Sequence, residues 1–108
     1  MDAYSNALYP STVPTKLISN KALREFAALH ADTAQSLQDF RRKVEKGSFG
    51  NFAELRAVFP AVDKVGQRFV FNIGGNKVRL VAEMDFLHRR VLIKAVLTHG
   101  EYDKERWK

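Results

Sequence analysis

The spacing of apolar residues changes once along this chain, and that change constrains the fold more than any other feature of the sequence. Up to Pro60 the apolar residues recur every three or four positions, the period of helices that bury one face. From Gly66 onward they recur at every second position, the period of strands with one buried face. Helices followed by a run of strands predict an α+β fold.

Three helices are predicted in the first part of the chain. The second helix stops at Gly47. In the third helix, Glu54 lies three residues after Asn51, the spacing of a capping box. The residues that can cap the three helices are Ser19 or Asn20, Asp32 or Thr33, and Asn51. The predicted inward residues are Leu23, Phe26, Ala27 and His30 in the first helix, and Leu37, Phe40 and Val44 in the second.

Three antiparallel strands are predicted after Gly66, joined as a meander with its apolar face against the helices. They cover Arg68–Ile73, Lys77–Asp85 and 91–97, and the glycine-rich reversal at 74–76 joins the first two. Residues 17 and 18 can add a short N-terminal strand. The residues assigned to the apolar face are Phe69, Phe71, Ile73, Val78, Leu80, Ala82, Met84, Val91, Ile93, Ala95 and Leu97.

The length of 108 residues suits one compact domain, which we expect to run over residues 16–108 after a poorly ordered leader at 1–15. The sequence contains no cysteine, which excludes disulfides, thiolate metal sites and a thiol nucleophile. It contains neither a secretion signal nor an apolar run of the roughly 18 residues that a membrane span needs. We therefore expect a cytoplasmic protein.

The charge balance is the first indication of function. Eighteen Lys and Arg against twelve Asp and Glu give a net charge of +6 and a pI near 9.8. Such a balance favours a polyanionic partner, through release of counterions and long-range attraction. The alternative is an incidentally basic surface.

Alternation places a basic group from each strand on the face away from the helices. These residues are Arg68, Lys77, Arg79 and Lys94. Because neighbouring strands lie about 5 Å apart, their side chains could converge on one patch that binds RNA. The alternative is an ordinary solvated sheet face.

His99 and Tyr102 follow the last predicted strand, beside that basic face. Imidazole transfers protons near neutral pH, and the Tyr102 hydroxyl could lie on the same side. A base, a cation and an acid are enough to cleave RNA without a metal. A histidine in this position can also be purely structural, and we assign His30 to helix packing and His88 to an exposed turn. No cluster of His, Asp and Glu has the spacing of metal ligands, and no phosphate-binding loop is present.

Two segments go beyond generic patterns: Phe71-Asn72-Ile73-Gly74-Gly75-Asn76-Lys77-Val78-Arg79-Leu80-Val81 and Thr98-His99-Gly100-Glu101-Tyr102-Asp103. Together they resemble the HigB-type toxins, a branch of the RelE superfamily. The segments at 17–23 and 55–60 are similar to the same family's first helix entry and pre-sheet segment. The resemblance runs from Lys16 to the C-terminus.

The resemblance implies a RelE-like fold, a curved antiparallel sheet with helices on one face. It also implies a metal-independent endoribonuclease, without cofactors, that cuts mRNA during translation in the ribosomal A site. The implied partner is a HigA-type antitoxin with a helix-turn-helix domain that binds DNA. The toxin itself would therefore contact DNA only through its antitoxin.

The resemblance implies residue roles at three positions. Arg79 matches the superfamily's phosphate-binding arginine on the strand after the hairpin. His99 and Tyr102 match the position of its histidine or tyrosine near the end of the last strand. Arg68, Lys77 and Lys94 fit the basic RNA cradle by their predicted face alone.

Two other functions account for the charge. A non-catalytic RNA- or ribosome-binding module would use the same basic face and show salt-dependent RNA affinity without cleavage. A structural subunit of a DNA-bound repressor would cause no toxicity when expressed alone. Neither explains why His99 and Tyr102 accompany the cations.

Overall fold

The computed structural model describes residues 15–18, 20–75 and 77–104, which form an α+β arrangement. Residues 1–14 of the expected leader lie outside these ranges, whereas Thr15 is buried and its N–H donates to the carbonyl oxygen of Gly47 (3.0 Å). The helices are α1 (Asn20–Leu29), α2 (Ala34–Lys46), α3 (Phe52–Val58) and α4 (His99–Asp103). The strands are β1 (Lys16–Ile18), β2 (Asp63–Val65), β3 (Arg68–Ile73), β4 (Val78–Asp85) and β5 (Arg90–Thr98).

The helical predictions are confirmed by the residues that each helix buries. Leu23 and Phe26 of α1 are buried, as are the three predicted inward residues of α2. The His30 ring stacks on Phe26 with centroids 4.4 Å apart, just after α1 ends. At the start of α3 the Asn51 side chain accepts from the Glu54 N–H (3.0 Å), while the Glu54 carboxylate accepts from the Gly50 N–H (2.6 Å). These caps satisfy N–H groups that a helix start leaves without internal acceptors.

The sheet is mixed, with strand order β1-β5-β4-β3-β2. The predicted antiparallel meander β3-β4-β5 forms its centre, and β1 pairs with β5 in parallel at one edge. The parallel pairing is possible because α1, α2 and α3 lie between β1 and the meander along the chain. The sequence did not predict β2, an antiparallel edge strand of three residues that turns into β3 at Gly66 (φ +63°).

The core lies between the helices and one face of the sheet. Its centre is aromatic: the Phe71 ring meets Phe40 and Phe59 edge-on, with centroids 5.0 and 5.2 Å apart. Leu80 of β4 is fully buried beneath the same helices. This packing holds one face of the meander against the helices and leaves its other face and its ends to carry the functional groups.

A β-bulge at Lys94 overturns the predicted alternation in the second half of β5. Val81 pairs with Ala95 and Ala82 pairs with Ile93, so β5 carries one extra residue at Lys94. The extra residue exchanges the faces of all residues that follow it. Ala95 and Leu97, predicted to face the core, therefore pair with outward-facing residues of β4. Val96, predicted to face outward, packs against the core.

We expect Leu80→Ala to lower the free energy of unfolding by about 2–5 kcal/mol, because the fully buried site would lose apolar contacts and gain a cavity. Leu87→Ala is the matched control, since Leu87 is 82% exposed, and it should change stability by less than about 0.5 kcal/mol. Urea unfolding of both variants measures the difference. Equal effects would contradict the assignment of the core.

Candidate functional site at the end of the sheet

The candidate site lies where β5 ends and β4 begins. Val78, the first residue of β4, pairs with Thr98, the last residue of β5. The chain then turns directly into α4, and the His99 N–H donates to the carbonyl oxygen of Lys77 (3.2 Å). These backbone contacts fix His99 beside the hairpin that joins β3 to β4.

The start of α4 is held by a reciprocal pair of hydrogen bonds. The Thr98 hydroxyl accepts from the Glu101 N–H (3.2 Å), and the Glu101 carboxylate accepts from the Thr98 N–H (2.9 Å). This is a capping box, which sets where the helix begins. His99 and Tyr102, three residues apart in that helix, consequently lie on neighbouring positions of one helical face.

Arg79 lies directly beneath this helix. It is the second residue of β4, opposite Asn72 on one side and Leu97 on the other. The guanidinium carbon lies 5.8 Å from the centroid of the Tyr102 ring, a cation–π contact, and 8% of Arg79 is exposed. The structure thus brings Tyr102 into contact with Arg79, and His99 lies three residues before Tyr102 in the same helix.

His99 also has an acidic neighbour on its own helix. Its Nε2 lies 3.4 Å from Oδ2 of Asp103, one helical turn on, and both side chains are about half exposed. Asp103 was not predicted as part of the site, although its spacing of four residues from His99 places the two side chains on one face of a helix.

The four predicted cations do not converge on one patch. Arg68 pairs with Glu83 of β4 (3.8 Å). Because Glu83 lies four residues after Arg79 on the same strand, the two positions on β4 are about 13 Å apart. Lys77 precedes β4, and its ammonium pairs with Asp32 (3.2 Å), which lies between α1 and α2 rather than on the outer face. Lys94 is exposed at the bulge. The single basic face is therefore corrected to separate cations around the sheet.

The middle of the outer face is buried. Val70 and Val81, which alternation along β3 and β4 places on this face between the cations, are 3% and 0% exposed. An extended RNA segment cannot lie flat on side chains that solvent does not reach. The accessible groups of the candidate site are instead at the end of the sheet, in the first turn of α4.

The Thr98–Glu101 pair was visible in the sequence as a Thr followed three residues later by Glu, the pattern of a capping box. The partner of Lys77 carried no such signal, because Asp32 is 45 residues away along the chain. In the described ranges, no group of three or more His, Asp or Glu side chains could hold a metal ion. No helix among the described residues is long and apolar enough to cross a membrane.

A second charged cluster lies at the opposite end of β4. Asp85 accepts from the His88 N–H (3.0 Å), lies 2.8 Å from His88 Nδ1 and pairs with Arg90 (3.0 Å). The backbone hydrogen bond from His88, followed by the contact with its ring, lowers the pKa of Asp85 from 3.8 to about 2. His88 lies in an exposed turn, as the sequence predicted. This cluster closes the β4–β5 turn.

Comparison with known proteins shows the family to which this chain belongs. Residues 33–105 match the family model described as HigB_toxin, the RelE-like toxic component of a toxin-antitoxin system. The chain belongs to this family, and its α+β fold agrees with the RelE-like description.

The curated relatives are similar over most of their length. The chain is 37% identical over 90 residues to the "mRNA interferase toxin HigB" of Escherichia coli (strain K12). The aligned residues cover 81% of this chain and 86% of the relative. It is 31% identical over 91 residues to the "mRNA interferase HigB" of Escherichia coli O6:H1. That alignment covers 82% of this chain and 88% of the relative.

We expect the Asp85 cluster to make stability depend on acid pH. The folded pKa of Asp85 is depressed, so its contribution is complete above about pH 4 and is lost as the pH falls towards about 2. Asp85→Asn should flatten the dependence of the unfolding free energy on pH in that window. Carbon-13 NMR titration of the Asp85 carboxyl measures the pKa directly. A midpoint near 4 would contradict the hydrogen bonds described.

Proposed function

We propose that this chain is an endoribonuclease that cuts mRNA, the activity for which its Escherichia coli relatives are named mRNA interferases. The observation that supports this proposal most directly is the contact of Tyr102 with Arg79 at the end of the sheet where α4, which begins at His99, starts. A proton-transfer group, a hydroxyl and a fixed cation are the components that RNA cleavage by its own 2′-hydroxyl requires.

In the proposed reaction the RNA supplies the nucleophile. A base removes the proton of the 2′-hydroxyl, O2′ bonds to phosphorus, and the bond from phosphorus to O5′ breaks as an acid protonates O5′. The products are a 2′,3′-cyclic phosphate and a 5′-hydroxyl. No metal ion takes part in these steps.

His99 acts in this scheme as general base or general acid, with the Asp103 carboxylate 3.4 Å from its Nε2. Tyr102 positions the substrate or shares the proton transfer. Arg79 stabilises the charge on the pentacoordinate phosphorus. Because only 8% of Arg79 is exposed, we place the scissile phosphate beside the Tyr102 ring rather than flat on the sheet.

Three further cations guide the RNA in this proposal. Lys94 is exposed, and the ion pairs of Lys77 and Arg68 lie at the surface, where such pairs contribute little and exchange readily with a phosphate. Their separation around the sheet suits an RNA strand that bends past the end of the sheet.

We further propose that cleavage takes place on translating ribosomes, in the A site, within the cytoplasm. The family description makes the chain one half of a toxin–antitoxin pair. A HigA-type antitoxin with a helix-turn-helix domain is the partner we propose, and it would connect the toxin to DNA. The net charge of +6 supports binding to ribosomal RNA and mRNA.

We expect the purified protein to produce new, codon-phased mRNA 5′ ends in a translating extract, mapped by primer extension. His99→Ala, Arg79→Ala and Tyr102→Phe should each reduce cleavage, by roughly 10²–10⁴-fold where proton transfer is lost. His88→Ala is the matched histidine control, because His88 lies at the opposite end of β4, and it should cleave as wild type.

Arg79→Lys accompanies Arg79→Ala, since it keeps the charge of this largely buried residue if the alanine variant fails to fold. Intact cleavage by all three site variants would place the active site elsewhere. Salt-dependent RNA binding without new 5′ ends would favour the non-catalytic binding module instead.

A further inference from the structure

Thr98 and Glu101 belong to the segment that identifies the family, yet the proposed chemistry uses neither side chain. Both are occupied with backbone at the start of α4, through the hydrogen bonds of the capping box (3.2 and 2.9 Å). Thr98 is also the last residue of β5, where it pairs with Val78. The capping box therefore joins the first turn of α4 to the end of the sheet.

We propose that Glu101 is a positioning residue, which fixes the first turn of α4, and with it His99 and Tyr102, at the end of the sheet by closing the capping box with Thr98. This role rests on the proposed function, since it concerns the geometry of the same site. It assigns Glu101 a purpose other than proton transfer.

The small size of α4 is the reason why this cap is needed. The helix has five residues, and a first helical turn is costly to form without other support. It is also attached by the bond from the His99 N–H to the Lys77 carbonyl oxygen and by the contact of the Tyr102 ring with Arg79. Loss of the capping box would let the first turn fray, and His99 would no longer keep a fixed place relative to Arg79.

A carboxylate two residues from His99 could instead act as an acid or base itself. Its contacts argue against this, because Oε1 accepts a hydrogen bond from the Thr98 N–H and the side chain is directed back to the backbone. Glutamine can accept the same hydrogen bond through its amide oxygen, but it cannot transfer a proton. Glu101→Gln therefore separates the two roles.

The experiment measures single-turnover cleavage of mRNA on programmed ribosomes by wild type, Glu101→Ala and Glu101→Gln. We expect Glu101→Ala to lower the cleavage rate at saturating toxin about three- to ten-fold, the size of a lost cap, with the half-saturating concentration changed by less than about two-fold. Glu101→Gln should remain within about two-fold of wild type, because it keeps the cap.

Glu54→Ala is the matched control. Glu54 holds the same position in α3 and likewise accepts from a backbone N–H before the helix, that of Gly50. It should leave the cleavage rate unchanged. Thr98→Ser keeps the hydroxyl and should behave as Glu101→Gln. Thr98→Ala removes the hydroxyl and should behave as Glu101→Ala. Melting temperatures confirm folding, and the two conservative variants carry the test if an alanine variant does not fold.

Several outcomes would overturn the positioning role. A Glu101→Gln rate as low as that of Glu101→Ala would mean that the carboxylate itself takes part in the chemistry. An equal loss from Glu101→Ala in wild type and in a His99→Ala background would show that Glu101 acts independently of His99. If Glu101→Ala is fully active while His99→Ala is defective, the positioning role is refuted and the proposed site stands. If His99→Ala is itself fully active, the proposed site is refuted.

Discussion

The pairing of β4 with a strand on each side is the constraint on which the rest of the structure depends. Val78, Leu80 and Ala82 of β4 are completely buried under the helices, so a slip of one residue would turn this row towards solvent. The same register places Arg79 one residue from the start of β4 and opposite Leu97. The position of the candidate site is thus a consequence of core packing.

The bulge at Lys94 separates β5 into two parts that serve different purposes. Before it, Val91 and Ile93 bury the core face of the strand. After it, Val96 turns inward, and the strand runs on to Thr98 and the start of α4. Bulges increase local twist and redirect a strand. Beyond the bulge, β5 leads into α4, whose Tyr102 ring contacts Arg79.

Much of the fold could be predicted because it rests on local signals. The bounds of β3, the cap at Asn51 and the buried residues of α2 all follow from spacing and side-chain type. The short β2, with the sequence Asp-Lys-Val, carries no such pattern. The bulge depends on pairing between strands, which alternation along one strand cannot reveal. The ion pair of Lys77 with Asp32 required the folded arrangement of distant segments. His99, Arg79 and Tyr102 were candidates from strand alternation and from their place at the strand ends, and the resemblance added their roles, while the burial of the middle of the outer face was not predicted.

The proposed chemistry depends on attack by the RNA's own 2′-hydroxyl at the end of the sheet. We would first compare two mRNAs on programmed ribosomes, one all-ribose and one with a single 2′-deoxynucleotide at the mapped cut. We expect the all-ribose mRNA to be cut to a 2′,3′-cyclic phosphate and a 5′-hydroxyl, while the substituted one binds and stays intact. Cleavage of the deoxy-substituted mRNA at that same bond would refute this chemistry.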